Sequence, residues 1–272
     1  MQEDFRRFNW YLSRWYEQYG RHSLPWRQTT DPYAILVSEM MLQQTQVERV
    51  IPKYHAFIAA FPTVTALAEA TLPQVLALWQ GLGYNRRAKF LQQTAQAVLQ
   101  KHQGIFPATR EQLEQLPGVG PYTAGAIMAF AYNEPVVLIE TNVRAVFLYH
   151  FFPQQTDVTD ALLLPLITSA LDRTHSRQWY AALMDYGSHL KTAVVNPSRR
   201  SKHHVRQSKF IGSSRQVRGE IIRLLLQHQP QTTDELTMQL TGDAAFFDTA
   251  LGQLSDEGLV RVAENQVFLG AG

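Results

Sequence analysis

The chain of 272 residues contains no cysteine. That absence excludes disulfides, thiol nucleophiles, cysteine-bound zinc and cysteine-bound iron–sulfur clusters. Long apolar runs are missing as well, and no stretch approaches the roughly 18 residues of a membrane span. Met1-Gln2-Glu3-Asp4-Phe5-Arg6-Arg7 at the amino terminus has no apolar core of signal-peptide length. A soluble, cytoplasmic protein with no membrane contact is expected. The nine histidines fall at no metal-ligating spacing; the one adjacent pair, His203-His204, sits in a basic run. No metal site is expected.

Acidic residues are locally absent too. Between Asp185 and Glu220 there is none, while Lys191, Arg199, Arg200, Lys202, Arg206, Lys209, Arg215 and Arg218 occur there. Of 25 basic residues these eight leave 17 for the rest of the chain, against 23 acidic ones, so a net charge of only +2 hides a concentrated positive segment. Such a segment suits a polyanion, or it is simply a solvated linker.

Up to about residue 195 the pattern is helical and runs of β-branched residues are scarce, which predicts an all-α body. Asp31-Pro32 is a helix start, with Asp as N-cap and Pro in the first turn. Leu36, Met40, Val47 and Ile51 read as its buried stripe, and Glu39, Gln43 and Gln46 as a shared polar face. Further helices are expected near 7–19, 63–70, 73–81, 86–102, 109–115, 121–131, 142–150, 159–171 and 177–190. Residues 196–214 read as a basic linker. Beyond it, helices near 216–228, 232–240 and 244–257 precede a hairpin of 259–262 and 266–269 around Glu264-Asn265. Three helices and a β-ribbon make a winged helix, a module that binds DNA or serves in protein contacts.

Leu116-Pro117-Gly118-Val119-Gly120 lies between two expected helices. Its glycines permit a sharp turn that leaves N–H groups free at a helix N-terminus, an anion site suited to a DNA phosphate. The Glu39 helix lies upstream of this hairpin, and Ile139-Glu140-Thr141-Asn142-Val143-Arg144 follows it. Two separated carboxylates can cleave a glycosidic bond.

With these motifs the chain resembles the helix-hairpin-helix (HhH-GPD) base-excision DNA glycosylases, and among them the A/G-mismatch adenine glycosylases. The matching residues are Leu24-Pro25-Trp26-Arg27, Ser38-Glu39 with Met41 to Gln46, Gly81-Leu82-Gly83-Tyr84, the 116–120 hairpin with Tyr122 to Ala126, and Asn142-Val143. The resemblance implies two helical lobes, one over about 30–135 and one from 1–29 plus 136–195, ahead of the linker and a winged-helix domain at 215–272. It implies double-stranded DNA carrying a mismatched or damaged base as partner, with the target nucleotide flipped out of the stack. A monomer is expected.

The same resemblance assigns roles. Glu39 matches the general acid that protonates the leaving adenine at N7, which requires a desolvated carboxyl. Glu140 matches an aspartate that stabilises positive charge on the deoxyribose; its extra methylene calls for a shifted backbone or a folded-back rotamer. An acid in that place can also simply cap the following helix. Asn142 would orient water or Glu140. Tyr122 stands where lyase relatives place a lysine, so a Schiff base is not expected and the enzyme would be monofunctional. Gln43, Gln44 and Tyr84 match residues that probe or wedge the duplex, and Leu116, Gly118, Val119 and Gly120 match the phosphate-binding hairpin. Leu24, Trp26 and Arg27 would lie at the base pocket.

Two departures stand out. The family's four cysteines are missing, with Lys191 where the first would fall, so no iron–sulfur cluster and no cofactor are expected, and Arg199 and Arg200 are read as a replacement phosphate clamp. A winged helix also stands where bacterial relatives carry a reader of 8-oxoguanine. Adenine opposite 8-oxoguanine or guanine is the expected target. Removal of thymine or uracil paired with guanine is one alternative, and a non-catalytic DNA-binding protein another.

Overall fold

A computed structural model describes residues 2–205 and 209–270; Arg206 of the basic run and the last two residues of the C-terminal module lie outside the described residues. The helices are α1 (Gln2–Tyr19), α2 (Pro32–Leu42), α3 (Val47–Ala60), α4 (Val64–Glu69), α5 (Leu72–Trp79), α6 (Arg86–His102) and α7 (Arg110–Glu114). They continue as α8 (Pro121–Phe130), α9 (Thr141–Phe151), α10 (Asp160–Ala170), α11 (Ser176–Ala193), α12 (Ser214–Gln227), α13 (Thr233–Gln239) and α14 (Phe247–Asp256). Strands β1 (Gln231–Thr232), β2 (Val260–Ala263) and β3 (Gln266–Leu269) complete the described chain. It is a helical body with a small sheet near the C-terminal end.

Local chemistry sets many of the boundaries. Asp31 Oδ1 accepts from the Tyr33 N–H at 3.0 Å, so the Asp-Pro start of α2 is a true cap. Thr63, Thr71, Thr109 and Thr232 cap α4, α5, α7 and α13 through their hydroxyls. The expected stripe through Val47 and Ile51 is not continuous with α2. The helix stops at Leu42, Gln44 takes a left-handed φ of 54°, and α3 restarts at Val47. Val50, Tyr54 and Phe57 are the buried face of α3 instead. Nor do Glu39, Gln43 and Gln46 share a polar face, because the chain is non-helical at the latter two and Glu39 is buried.

Contacts divide the chain into two compact units. The first comprises residues 1–36, 107–115 and 119–206. Its core lies between α9 and α11, where Val143, Val146, Phe147, Trp179, Tyr180 and Leu183 are buried. Phe5, Phe8, Leu12 and Tyr16 recur at helical spacing on α1 and bury against this core. The basic run is ordered where it begins: Pro197–Arg200 form a 3-10 turn, and Ser201 bridges to Val158.

The second unit comprises residues 37–106, 116–118 and 207–272. Phe57, Leu67, Val75, Leu76, Trp79, Leu91 and Val98 from α3 to α6 form its larger core. The C-terminal segment adds its own, built from Val217, Ile221, Leu225, Leu236, Phe247, Leu254 and Val267. The strand order is β1-β3-β2, all antiparallel, which with α12, α13 and α14 is winged-helix topology. Glu264 and Asn265 both have positive φ, as a two-residue hairpin turn of this hand requires. The two-residue β1 is beyond the sequence expectation. The side chain of Gln231 is buried there, donating to the carbonyls of Leu224 at 2.9 Å and His228 at 2.7 Å.

Candidate active site

Glu140 in the first unit terminates an extended segment and caps α9. Its Oε1 accepts from the N–H groups of Asn142 at 2.5 Å and Val143 at 2.8 Å. Its Oε2 accepts from Asn142 Nδ2 at 3.2 Å. The Glu140 carboxylate thus lies over the first turn of α9, its orientation fixed at three points. Burial pushes the Glu140 carboxyl above the usual carboxylate range, partly opposed by the Val143 N–H, the Lys191 ammonium, the Asn142 N–H and the Arg144 guanidinium. Asn142 Oδ1 is a buried acceptor without a hydrogen-bond partner among the described residues.

Lys191 reaches this region through α11. A β-carbon on Gly187 would sit 2.3 Å from the Asn142 carbonyl oxygen, so α11 meets the start of α9 where only glycine fits. Lys191 follows one turn later on the same face. Burial lowers its ammonium pKa, Glu140 raises it, and Arg21 lowers it. Arg144 is paired through two bonds with Asp160, at 2.7 and 2.6 Å.

Leu24 and Trp26 are buried, Trp26 within a 3-10 turn at Pro25–Arg27. Trp26 and Arg27 border a cavity of about 230 Å³ together with Tyr16, Phe130 and Ala181. The Arg27 guanidinium donates to Tyr16 Oη at 3.0 Å and Asp185 Oδ1 at 3.3 Å. Arg21 holds the same carboxylate through its N–H, Nε and Nη2. Asp185, 3% exposed, organises this corner. From the sequence it marked only the edge of the basic run; an acid in the middle of an otherwise buried helical face was the signal available. Tyr122 is half-buried in the first turn of α8.

In the second unit Glu39 lies near the C-terminal end of α2, 8% exposed, beside the fully buried Ser38. Gln43 is half-buried and Gln44 exposed in the turn that follows. That turn is held by Arg87, which sequence reasoning passed over. Its Nη1 donates to the carbonyls of Met40 at 2.6 Å, Met41 at 3.2 Å and Gln43 at 2.6 Å; its Nη2 donates to Leu82 at 3.2 Å and Gly83 at 3.0 Å. Burial brings its pKa down to about 10, with a smaller opposing effect of Tyr84. An arginine on the same α6 face as Leu91, Ala95 and Val98 could have marked it.

The glycine hairpin is clear in the chain geometry. Gly118 has φ of 74°, and a β-carbon there would lie 2.5 Å from Phe90 Cβ. Thr94 Oγ1 donates to the Pro117 carbonyl at 2.6 Å. Gly120 is the N-cap of α8 and faces open space. The side chains of Leu116 and Val119 are buried, so only their main chain is available to a ligand. Arg200 is engaged internally, donating to the carbonyls of Leu148 and Pro153, while Arg199 is exposed.

Residues 37–164 match the model of the HhH-GPD superfamily of base-excision DNA repair proteins. An adenine DNA glycosylase of Mycolicibacterium smegmatis is 35% identical over 285 residues, covering 96% of this chain and 95% of that protein. The chain belongs to the adenine DNA glycosylase family. A human adenine DNA glycosylase is 44% identical over 144 residues, 50% of this chain and 26% of its own. With a Buchnera aphidicola relative, 39% identical, the match takes in 65% of this chain and 51% of that one. The chain thus spans about half of the Buchnera relative but nearly all of the mycolicibacterial one, whose match must include the C-terminal module. A thermostable thymine-DNA glycosylase has the same fold, with a TM-score of 0.62 at 24% identity over 74% of this chain and 91% of that one.

Family members with an iron–sulfur cluster bind it through thiolates. Here the donor set does not fit: there is no cysteine, and the segment after α11 is the 3-10 turn Pro197–Arg200. Among the described residues no group of three or more His, Asp or Glu could hold a metal ion.

Proposed function

We propose that the chain is a monofunctional, cofactor-independent DNA glycosylase that hydrolyses the N-glycosidic bond of adenine mispaired with 8-oxoguanine or guanine. The observation that carries this reading is a buried Glu39 and a helix-capping Glu140 in a chain that matches an adenine DNA glycosylase along nearly its whole length.

Glu39 acts as general acid. Adenine leaves poorly as an anion, and a proton delivered to N7 makes it a neutral leaving group. As the C1′–N9 bond breaks, positive charge grows on the deoxyribose, and the ionised Glu140 opposes it. Water adds to C1′ and loses its proton to Glu140; the products are adenine and an abasic sugar. Asn142, with Nδ2 on Glu140 and a buried Oδ1, supports the position of that water. Tyr122, in the place of a lyase lysine, offers no amine for a Schiff base, so the strand stays uncut.

Double-stranded DNA is bound with main-chain N–H groups of the 118–120 turn and Arg199 on phosphates, while Gln43, Gln44 and Tyr84 enter the duplex. Trp26, Leu24 and Arg27 border the base pocket. The protein acts as a cytoplasmic monomer. The test is single-turnover excision on duplexes with adenine opposite 8-oxoguanine, guanine or cytosine, and thymine or uracil opposite guanine, with and without hot alkali. Alkali-dependent cleavage at adenine opposite the purines is expected. Cleavage only at thymine or uracil, or none at all, would overturn the reading.

A further inference from the structure

Tyr84 is an exposed aromatic in a tight turn, with a left-handed φ of 48° and 37% of its surface open. Two guanidinium groups lie 5.5 Å from its ring centroid. One is Arg87, buried and fixed by five main-chain carbonyls. The other is Arg215, the second residue of α12 in the C-terminal module, whose Nη1 donates to Tyr84 Oη at 2.8 Å. Arg87 secures the base of the turn, and Arg215 pins the far end of the ring. The bond from Arg215 restrains the phenol's rotation about its side-chain torsions at its oxygen end.

The rest of the module is poorly suited to reading DNA. Between Ser214 and Gly270 four arginines, Arg215, Arg218, Arg223 and Arg261, stand against eight carboxylates. A winged helix commonly lays its last helix in the major groove. Here that helix, α14, carries Asp248 and Asp256 and no lysine or arginine. Arg218 is paired with Glu257 at 2.5 Å, and Arg261 lies over Phe268 at 4.5 Å. The C-terminal end of α14 is also tied down, with Lys89 Nζ donating to the carbonyls of Glu257 at 2.6 Å and Gly258 at 3.2 Å. An acidic face of this kind repels phosphates.

We infer that the winged helix is an internal brace rather than a second DNA reader, and that Arg215 is a positioning residue that sets the orientation of Tyr84 for entry into the duplex. This rests on the duplex-entering role of Tyr84 proposed above. A wedge held in place before binding loses less freedom on the DNA, and that gain appears at a mismatch, where the stack opens, more than on matched duplex.

The test uses the full chain in a Glu39→Gln background, so that substrate is bound without turnover. Dissociation constants are measured over a salt series for an adenine–guanine duplex and a matched duplex. Arg215→Ala is expected to narrow the mismatch-to-match ratio about five- to tenfold, the net scale of one hydrogen bond, with an unchanged salt slope. Arg215→Lys, which still reaches Oη, restores most of the ratio, and Arg215→Ala adds nothing when Tyr84 is already Phe. Uniform weakening on both duplexes with the salt slope reduced by about 0.9 would make Arg215 a phosphate contact and overturn the inference. An unchanged ratio, or full additivity with Tyr84→Phe, would also overturn it. Absence of mismatch preference in the Glu39→Gln parent would instead bring down the functional reading, and this inference with it.

Discussion

Gly187 faces the main chain of Asn142 so closely that a β-carbon would lie 2.3 Å from its carbonyl oxygen and 2.7 Å from its Cα. That approach seats α11 against the N-terminus of α9, where Glu140 is the cap. Gly187→Ala therefore must push the two helices apart, since the atoms it meets are backbone. A loss of about 1–3 kcal/mol is expected from such overpacking. Excision should fall further than stability alone explains, because Glu140 moves with the cap. Denaturant midpoints and single-turnover rates on one preparation check this; unchanged rates in a destabilised variant would separate the glycine from the site.

Lys191 and Glu140 make a prediction about pH. Burial raises the Glu140 pKa and the Lys191 charge opposes the rise. In the proposed mechanism Glu140 acts as the carboxylate, so activity is expected to fall as pH drops through that elevated pKa. Lys191→Met removes the opposing charge and should move the acid limb of the single-turnover rate to higher pH. A limb at the wild-type position would deny the coupling. Stability runs the other way. A raised folded-state pKa gives stability that is present below the unfolded carboxylate range and lost as pH rises through the folded value. Glu140→Gln should thus gain in thermal midpoint over the wild type as pH rises, with little difference in acid.

The two hairpin glycines should separate fold from binding. Gly118 combines positive φ with a β-carbon position 2.5 Å from Phe90 Cβ, so Gly118→Ala should cost stability. Gly120 has φ of −87° and nothing within 4 Å of its would-be β-carbon, so Gly120→Ala should leave the thermal midpoint nearly unchanged. If a phosphate approaches this main chain, the same change weakens duplex binding, matched and mismatched alike. Equal affinity in Gly120→Ala would remove the turn from the DNA contact.

Elements with local punctuation were legible in the sequence. Asp31, Thr109 and Pro121 mark helix starts with chemistry that needs no tertiary partner, and the Glu264-Asn265 turn is equally local. What escaped was decided by side chains distant in sequence. The break after Leu42 depends on Arg87, 45 positions beyond Leu42, gathering carbonyls that a continuing helix would have used itself. The corner around Asp185 depends on Arg21 and Arg27, more than 150 residues away. Periodicity could not supply these, because a charged residue on an apolar face reads as noise until its partners are known. Glu39 and Glu140 are singled out as candidates by motif resemblance, and the orientation of the Glu140 carboxylate is visible only through the N–H groups that hold it.

In the proposed mechanism Glu39 supplies the proton that releases adenine. The direct measurement is Glu39→Gln against wild type on an adenine–8-oxoguanine duplex, with binding and single-turnover excision read on the same samples. The expected result is mismatch affinity close to wild type with excision lowered by about 10²- to 10⁴-fold. Excision at the wild-type rate by correctly folded Glu39→Gln would contradict the claim.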